Sequence, residues 1–248
     1  MNNIKFLSSE DAVSEVVDFV TILGLLVLSI GLIGMAGYPI VKNAQEANHI
    51  ENTKQSFIVF ANNFNKVVMG QAPSQNVELK MYGGSLSVTG SSSINITATN
   101  SINENITLVP DRQMRSIESV VGENVVAYEG TGVWINYPNG NTILVSKPLI
   151  TNQSNLLVIP IVTVGGISSV GGSGMSRVTA KGVPNVNLYK NVSNISVTIN
   201  STYSNGWKNY FVNVMAWSSC SSGECTAKLE MKNIDVYIIN IQLDTEVE

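Results

Sequence analysis

The sequence is poor in charge. Asp, Glu, Lys and Arg make up 13% of its 248 residues, against a hydrophobic share of 44%. The fourteen Lys and Arg stand singly along the chain, and the net charge is −4. A phosphate backbone is held by a concentrated basic surface, so nucleic acid is not expected as a partner. Histidine occurs once, at His49. Beside Asn48 and Glu51 it reads as a solvated side chain. It can complete a Ser-His-Asp triad only where Asp and Ser converge on its helix, and no G-x-S-x-G elbow points to that. The two cysteines, Cys220 and Cys225, lack the second pair or the histidines of a zinc site. A C-x4-C pair closes a small loop as a disulfide in an oxidising exterior, or else stays a thiol pair. No EF-hand or P-loop spacing occurs. No metal, cofactor or catalytic residue is therefore assigned. The scattered carboxylates, Glu118 and Glu129 among them, offer a glycosidase-like pair only to the extent that any β-rich domain does.

What is abundant falls into two populations, which together give a mean hydropathy of +0.17. One is an apolar block near the N-terminus. The other is polar but uncharged, rich in Asn, Ser, Thr and Gly, and carries many β-branched residues that suit half-buried strands.

The apolar block runs from Phe19 to Val41 without a charged residue. As a helix it spans about 34 Å at roughly 1.5 Å per residue, enough for a hydrocarbon core about 30 Å thick. It is too long for the h-region of a cleaved secretory signal and has no basic n-region. Ser8 and Asp11 have capping-box spacing at its entry. Glu15 and Asp18 follow along one face, either as inter-subunit contacts or as groups in the headgroup layer. Gly24, Gly31 and Gly34 allow close helix approach. From Ile40 an apolar stripe of Ile40, Ala44, Ala47, Ile50, Phe57, Ala61, Phe64 and Val68 continues the helix to about Met69. Pro39 predicts a kink or short unwound turn on the way. Gly70–Pro73 ends the helix.

The remainder reads as about twelve short strands with turns every 8–12 residues, a sandwich or two stacked sheets. Val77–Met81 and Leu86–Thr89 flank a Gly83-Gly84 turn, and Pro138-Asn139-Gly140 marks a hairpin. Leu156–Val164 is a buried strand with Pro160 at a bulge or edge. Gly165–Gly174 reads as a mobile loop and Tyr210–Trp217 as a strand. Arg112–Val120 fits a short helix or a strand. Trp134, Tyr137, Tyr203, Trp207, Tyr210 and Trp217 read first as core filling and second as a carbohydrate surface. The sequons at Asn95, Asn105, Asn152, Asn191, Asn194 and Asn200 all follow the apolar block. With the cysteine pair they place the C-terminal part outside and the N-terminus inside. The fold class is thus α+β, a long membrane or filament-core helix followed by a β-rich, sandwich-like exterior domain.

Asp11-Ala12-Val13-Ser14-Glu15-Val16-Val17, the apolar helix and Gly37-Tyr38-Pro39-Ile40 resemble the N-termini of archaeal type IV pilin-like proteins. Asn76–Val88 is similar to an archaeal surface-protein family of the same build. The resemblance implies cleavage by a leader peptidase between Ala12 and Val13, and packing of the helix against copies of itself. It also implies a role for Glu15 near a neighbour's new amine. The chain then divides into a leader-like segment (1–12), a membrane or filament-core helix (13–41), an amphipathic continuation (42–72) and an exterior domain (73–248). Glu10-Asp11 replaces the usual basic residue before the cleavage point, and Asp18 stands where Gly is usual. Its expected partners are membrane lipid before assembly, sister subunits afterwards, and glycans. The rival reading is a monomeric anchored surface protein or adhesin, and an anchored exterior enzyme comes third.

Overall fold

A computed structural model describes residues 10–166, 169–218 and 225–248, with side chains from Val16 onward. Helix α1 occupies Glu10–Val68. It stays helical through Gly37-Tyr38-Pro39, so that of the kink or short unwound turn expected there the unwound turn does not form. A proline removes one backbone donor, and the turns on either side keep their own bonds. The C-terminus closes as a Schellman motif. Gly70, at φ +69°, donates from its backbone N–H to the Val67 carbonyl, and Gln71 donates to that of Lys66. Glycine reaches this left-handed conformation without strain.

The chain divides into two compact units, Met1–Asn48 and His49–Glu248. Among the described residues of the second unit, thirteen strands follow the helical residues. They are β1 (Ser74–Thr89), β2 (Ser93–Thr99), β3 (Asn105–Gln113), β4 (Ser116–Val121), β5 (Asn124–Glu129), β6 (Gly132–Asn136) and β7 (Thr142–Ser146). Next come β8 (Thr151–Gln153), β9 (Leu156–Gly165), β10 (Ser169–Lys181), β11 (Asn185–Asn200), β12 (Cys225–Leu229) and β13 (Ile234–Val247). The sheet order is β3-β2-β11-β13-β10-β1-β4-β5-β6-β7. β12 joins β11, and β9 joins β13 in the one parallel pairing among the described strands.

Two apolar cores lie on opposite sides of the central strands. In the first, Phe57, Phe60, Ala61, Phe64, Val67 and Val68 of α1 pack on Leu79, Leu86, Ile117, Tyr128 and Val133. Their spacing puts them on one helix face, and each large side chain so buried contributes roughly 1.5–3 kcal/mol. In the second, Ala127 and Trp134 meet the inner faces of β2, β9, β11, β12 and β13. β5 and β6 are buried on both faces because alternate side chains point to opposite cores. β13 changes sides along its length. Ile234, Val236 and Ile238 enter the second core, while Ile241, Leu243 and Val247 enter the first. The β-rich domain expected from the turn spacing is observed, but its described strands join in one hydrogen-bonded sheet and not in two separate stacked ones.

Several local expectations fail. Gly83-Gly84 is not a turn. β1 runs unbroken through it with a register shift opposite β10. A Cβ on Gly84 would stand 1.7 Å from the Val120 carbonyl oxygen, so the glycine is there for a close approach to β4. Nor is Gly165–Gly174 a loop in its described part. Gly171, Gly172 and Gly174 are strand residues of β10 paired with β1. Gly172 and Gly174 adopt φ of +119° and +140°, so the glycines accommodate the bulged pairing. Tyr210–Trp217 is not extended: Tyr210–Val214 is helical and Met215–Trp217 leave it irregularly. A short helix α2 (Ser204–Asn209) passes into a π-helical turn at Tyr210–Val214. Its apolar residues read as alternation, but Trp207, Tyr210 and Phe211 also satisfy helical spacing. Arg112–Val120 resolves as the end of β3 and most of β4.

Candidate functional site: an apolar helix surface and a sealed polar cluster

The apolar segment of α1 has the composition of a core helix and the exposure of a surface one. Leu25, Leu26, Val27, Leu28, Ile30, Leu32, Ile33, Ile40 and Val41 are all exposed, Ile30 at 68%. By length and composition the helix can cross a membrane. Its polar side chains are prepared for an apolar solvent. The Thr21 hydroxyl donates to the Val17 carbonyl at 2.8 Å, and the Ser29 hydroxyl to that of Leu25 at 2.7 Å. In hydrocarbon each unsatisfied polar group costs several kcal/mol, and these bonds remove that cost. Gly24, Gly31 and Gly34 have no heavy atom within 4 Å of an added Cβ, so their backbone is bare. Gly24 and Gly31, seven residues apart, lie on nearly one line, with Gly34 close beside it. Asp18 is exposed at the N-terminal edge of the segment. Ala12, Val13 and Glu15 lie within the helical backbone, but their side chains fall outside the described residues. Ser8, the expected cap, also lies outside them.

The β unit contains a sealed polar cluster that no sequence motif announced. Glu129, at the end of β5, is 1% exposed. Its Oε1 accepts from Trp207 Nε1 at 2.9 Å and from Ser201 Oγ at 2.7 Å, and its backbone carbonyl accepts from Trp134 Nε1 at 3.1 Å. Burial pushes its carboxyl above the usual carboxylate range, partly offset by the Trp207 and Ser201 hydrogen bonds, while Glu118 raises it further. Glu118 in turn accepts from the Tyr203 hydroxyl and from Ser116 Oγ, both at 2.7 Å. Two carboxylates thus bracket the entry to α2. With Glu129 cut off from solvent, the arrangement fastens the α2 turn to β5. A second fastening joins α1 to the same hairpin. Asn65 donates to the Thr131 carbonyl at 3.0 Å and accepts from the Tyr128 hydroxyl at 2.9 Å. Gly130 and Thr131, at φ +57° and +68°, make the two-residue turn between β5 and β6.

The chain belongs to the family of unknown function DUF7289. That family's model matches residues 12–246 and so takes in the apolar helix and the β domain together. No curated protein and no solved structure matches the chain.

Within the DUF7289 match, the other residues singled out by sequence are dispersed. Trp134, Tyr203, Trp207, Tyr210 and Trp217 are buried, which favours core filling over a carbohydrate surface. Trp134, Trp207 and Phe211 pack in series, the first pair tilted and the second stacked, with ring centroids 4.7 and 5.7 Å apart. His49 is not simply solvated. Its ring stacks on Tyr82 at 4.2 Å. Cys225 is buried at the start of β12, and Cys220 lies outside the described residues. Asn105, Asn191, Asn194 and Asn200 are exposed, whereas Asn95 and Asn152 are half-buried. The Glu129 cluster was missed because its partners lie 72 and 78 positions away along the chain. No local periodicity can signal such a pairing.

Proposed function

We propose that this protein is a structural subunit of a cell-surface filament of archaeal type IV pilin-like build. One observation carries the reading. A stretch of α1 is apolar on every face and exposed throughout, so it needs either lipid or sister helices as solvent. Before assembly the segment crosses the membrane with the N-terminus inside and the β domain outside. After leader cleavage between Ala12 and Val13 the same faces pack against copies of the chain. Gly24, Gly31 and Gly34 permit close contact there, and Glu15 and Asp18 lie at the segment's N-terminal edge. The rival is a permanently anchored, monomeric surface protein. Its support is that His49–Glu248 forms a compact unit with its own two cores.

Electron microscopy of sheared surface material, combined with N-terminal sequencing, separates the two. Filaments whose subunits begin at Val13 are the expected result. Protein confined to membranes and still beginning at Met1 would replace the filament reading with the anchor.

A further inference from the structure

We infer that Asn105, Asn191 and Asn194 form one patch of N-linked glycans guarding an open end of the sheet, while Asn95 and Asn152 stay bare. The inference rests on the reading that the β domain faces outside. Sequence alone treats all six sequons alike, and the fold sorts them.

Three converge. Thr99 of β2 is in register with Asn105 of β3 on one side and with Ser193 of β11 on the other. Neighbouring strands lie about 5 Å apart, so Asn105 and Ser193 are about 10 Å apart across the sheet. Asn191 and Asn194 bracket Ser193. Both sit where the pairing of β11 shifts register, at φ +53° and +49°. This left-handed conformation is tolerated by Asn, and it lifts each residue out of the regular ladder. All three side chains are exposed.

Two are excluded. Asn95 lies mid-strand in β2, opposite Thr198, and its Oδ1 is buried with no hydrogen-bond partner. Asn152 is half-buried in β8, its Nδ2 3.9 Å from Met231 Sδ. Both side chains are only half-exposed between neighbouring strands, so a sugar on either nitrogen would crowd the strands beside it. Asn200 is exposed but sits at the far end of β11, opposite Ser93, away from the patch.

The surroundings give the patch a use. Asn185–Tyr189 of β11 pairs with β13 on one side and has no other strand partner among the described residues. Val186 and Leu188 are exposed along it, and Ile102 is 70% exposed in the β2–β3 turn. Such an edge is a template for pairing with another chain, usually blunted by charge or proline. Lys190 is the one charge in Asn185–Lys190. Glycans at Asn191 and Asn105 would flank the edge and the turn with bulky, hydrated groups.

The modification needs a lipid-linked oligosaccharide phosphate as donor, presented at the outer membrane face by a membrane transferase. The Asn Nδ2 attacks the anomeric carbon and the N–C bond forms. The bond from that carbon to the phosphate oxygen breaks, and the lipid phosphate leaves with the electron pair. The amide proton passes to a transferase base.

The test is intact-glycopeptide mass spectrometry on full-length protein purified from its native cells, beside external protease treatment of those cells. Added hexose-containing mass at Asn105, Asn191 and Asn194, and none at Asn95 or Asn152, is expected. Thr107→Ala and Ser196→Ala should remove the mass at Asn105 and Asn194 while leaving each asparagine in place. They should also increase sedimentable aggregate severalfold. Glycan on Asn95 or Asn152, or bare asparagines at the patch in protein cleaved by external protease, overturns the inference and leaves the outward orientation standing. A β domain protected from external protease overturns both.

Discussion

Replacing Val27 and Ile30 together by Asp tests whether α1 needs an apolar solvent. Both side chains are exposed, at 63% and 68%, in the middle of the uncharged segment. Phe19–Val41 contains thirteen Leu, Ile, Val and Phe residues. At roughly −0.3 to −0.6 kcal/mol each they favour insertion by about 4–8 kcal/mol. Each Asp near the helix centre reverses this by about 3–4 kcal/mol, so the pair costs about 6–8 kcal/mol. That is enough to cancel the apolar contribution entirely. The assay is partition between membrane pellet and supernatant after alkaline carbonate extraction, with flotation to distinguish membrane from aggregate. Wild-type protein should float with lipid, and the double variant should leave the floating fraction. Val59→Asp is the control, on the same helix and 54% exposed, but in the half that folds onto the sheet. An exposed site away from packing changes stability by no more than about 0.5 kcal/mol, so this variant should partition as wild type. Equal flotation of the double variant and wild type, or free solubility of the wild type without detergent, refutes the reasoning.

Three further outcomes follow from the β unit. Phe60→Ala removes a fully buried ring packed on Phe64 and Tyr128 and should cost about 3–5 kcal/mol in denaturant unfolding in detergent; a loss under 1 kcal/mol would mean the helix face is not packed on the sheet. Gly84→Ala should cost about 3 kcal/mol or more because its methyl would meet the Val120 backbone. Gly140→Ala, in open space at φ +78°, should cost only about 1–2 kcal/mol, and the reverse ranking would refute the close approach of β1 to β4. The third outcome concerns Glu129, whose raised folded pKa means that the native state keeps a proton the unfolded chain releases. Its contribution to stability is therefore complete below the unfolded value of 4.5 and is lost as pH rises through the folded value. Glu129→Gln should gain stability relative to wild type as pH increases above 4.5, measured by paired unfolding curves, and a pH-independent difference would refute the burial of an ionisable group there.

The elements legible in the sequence are those whose cause is local. The C-terminal end of α1 is legible almost to the residue because the apolar stripe and the Gly70–Pro73 stop lie within a few turns of each other. The β6–β7 hairpin was read because Asn139-Gly140 specifies the turn, closed by the Gly140 N–H bond to the Tyr137 carbonyl at 2.9 Å. Where the cause lies elsewhere in the chain, local reading fails. Glycines at 171–174 look like a loop until β1 is placed beside them with its own bulge at Gly83-Gly84. Glycine at both positions is the answer to one register problem shared by two strands nearly a hundred residues apart. Tyr210–Trp217 fails for a related reason. Its aromatic residues suit either period, and the helix is selected by Glu129, which anchors Trp207 and Ser201 from across the core.

The same distinction explains why function is more visible in α1 than in the β domain. A helix that is apolar all round states its own solvent requirement, since no packing inside His49–Glu248 is needed to read it. A sheet buries its alternating residues whatever it is for, and its carboxylates mean nothing until their partners are known. Once placed, Glu129 and Glu118 hold the α2 turn in position. The exposed part of that domain is then read from edges and accessible asparagines, where the fold meets its surroundings. Physical demand is greatest at the two places where backbone or apolar surface is left uncovered: the uncharged stretch of α1 and the open edge of β11. The first requires lipid or sister helices. The second requires a hydrated cover if the domain is to stay apart from its copies.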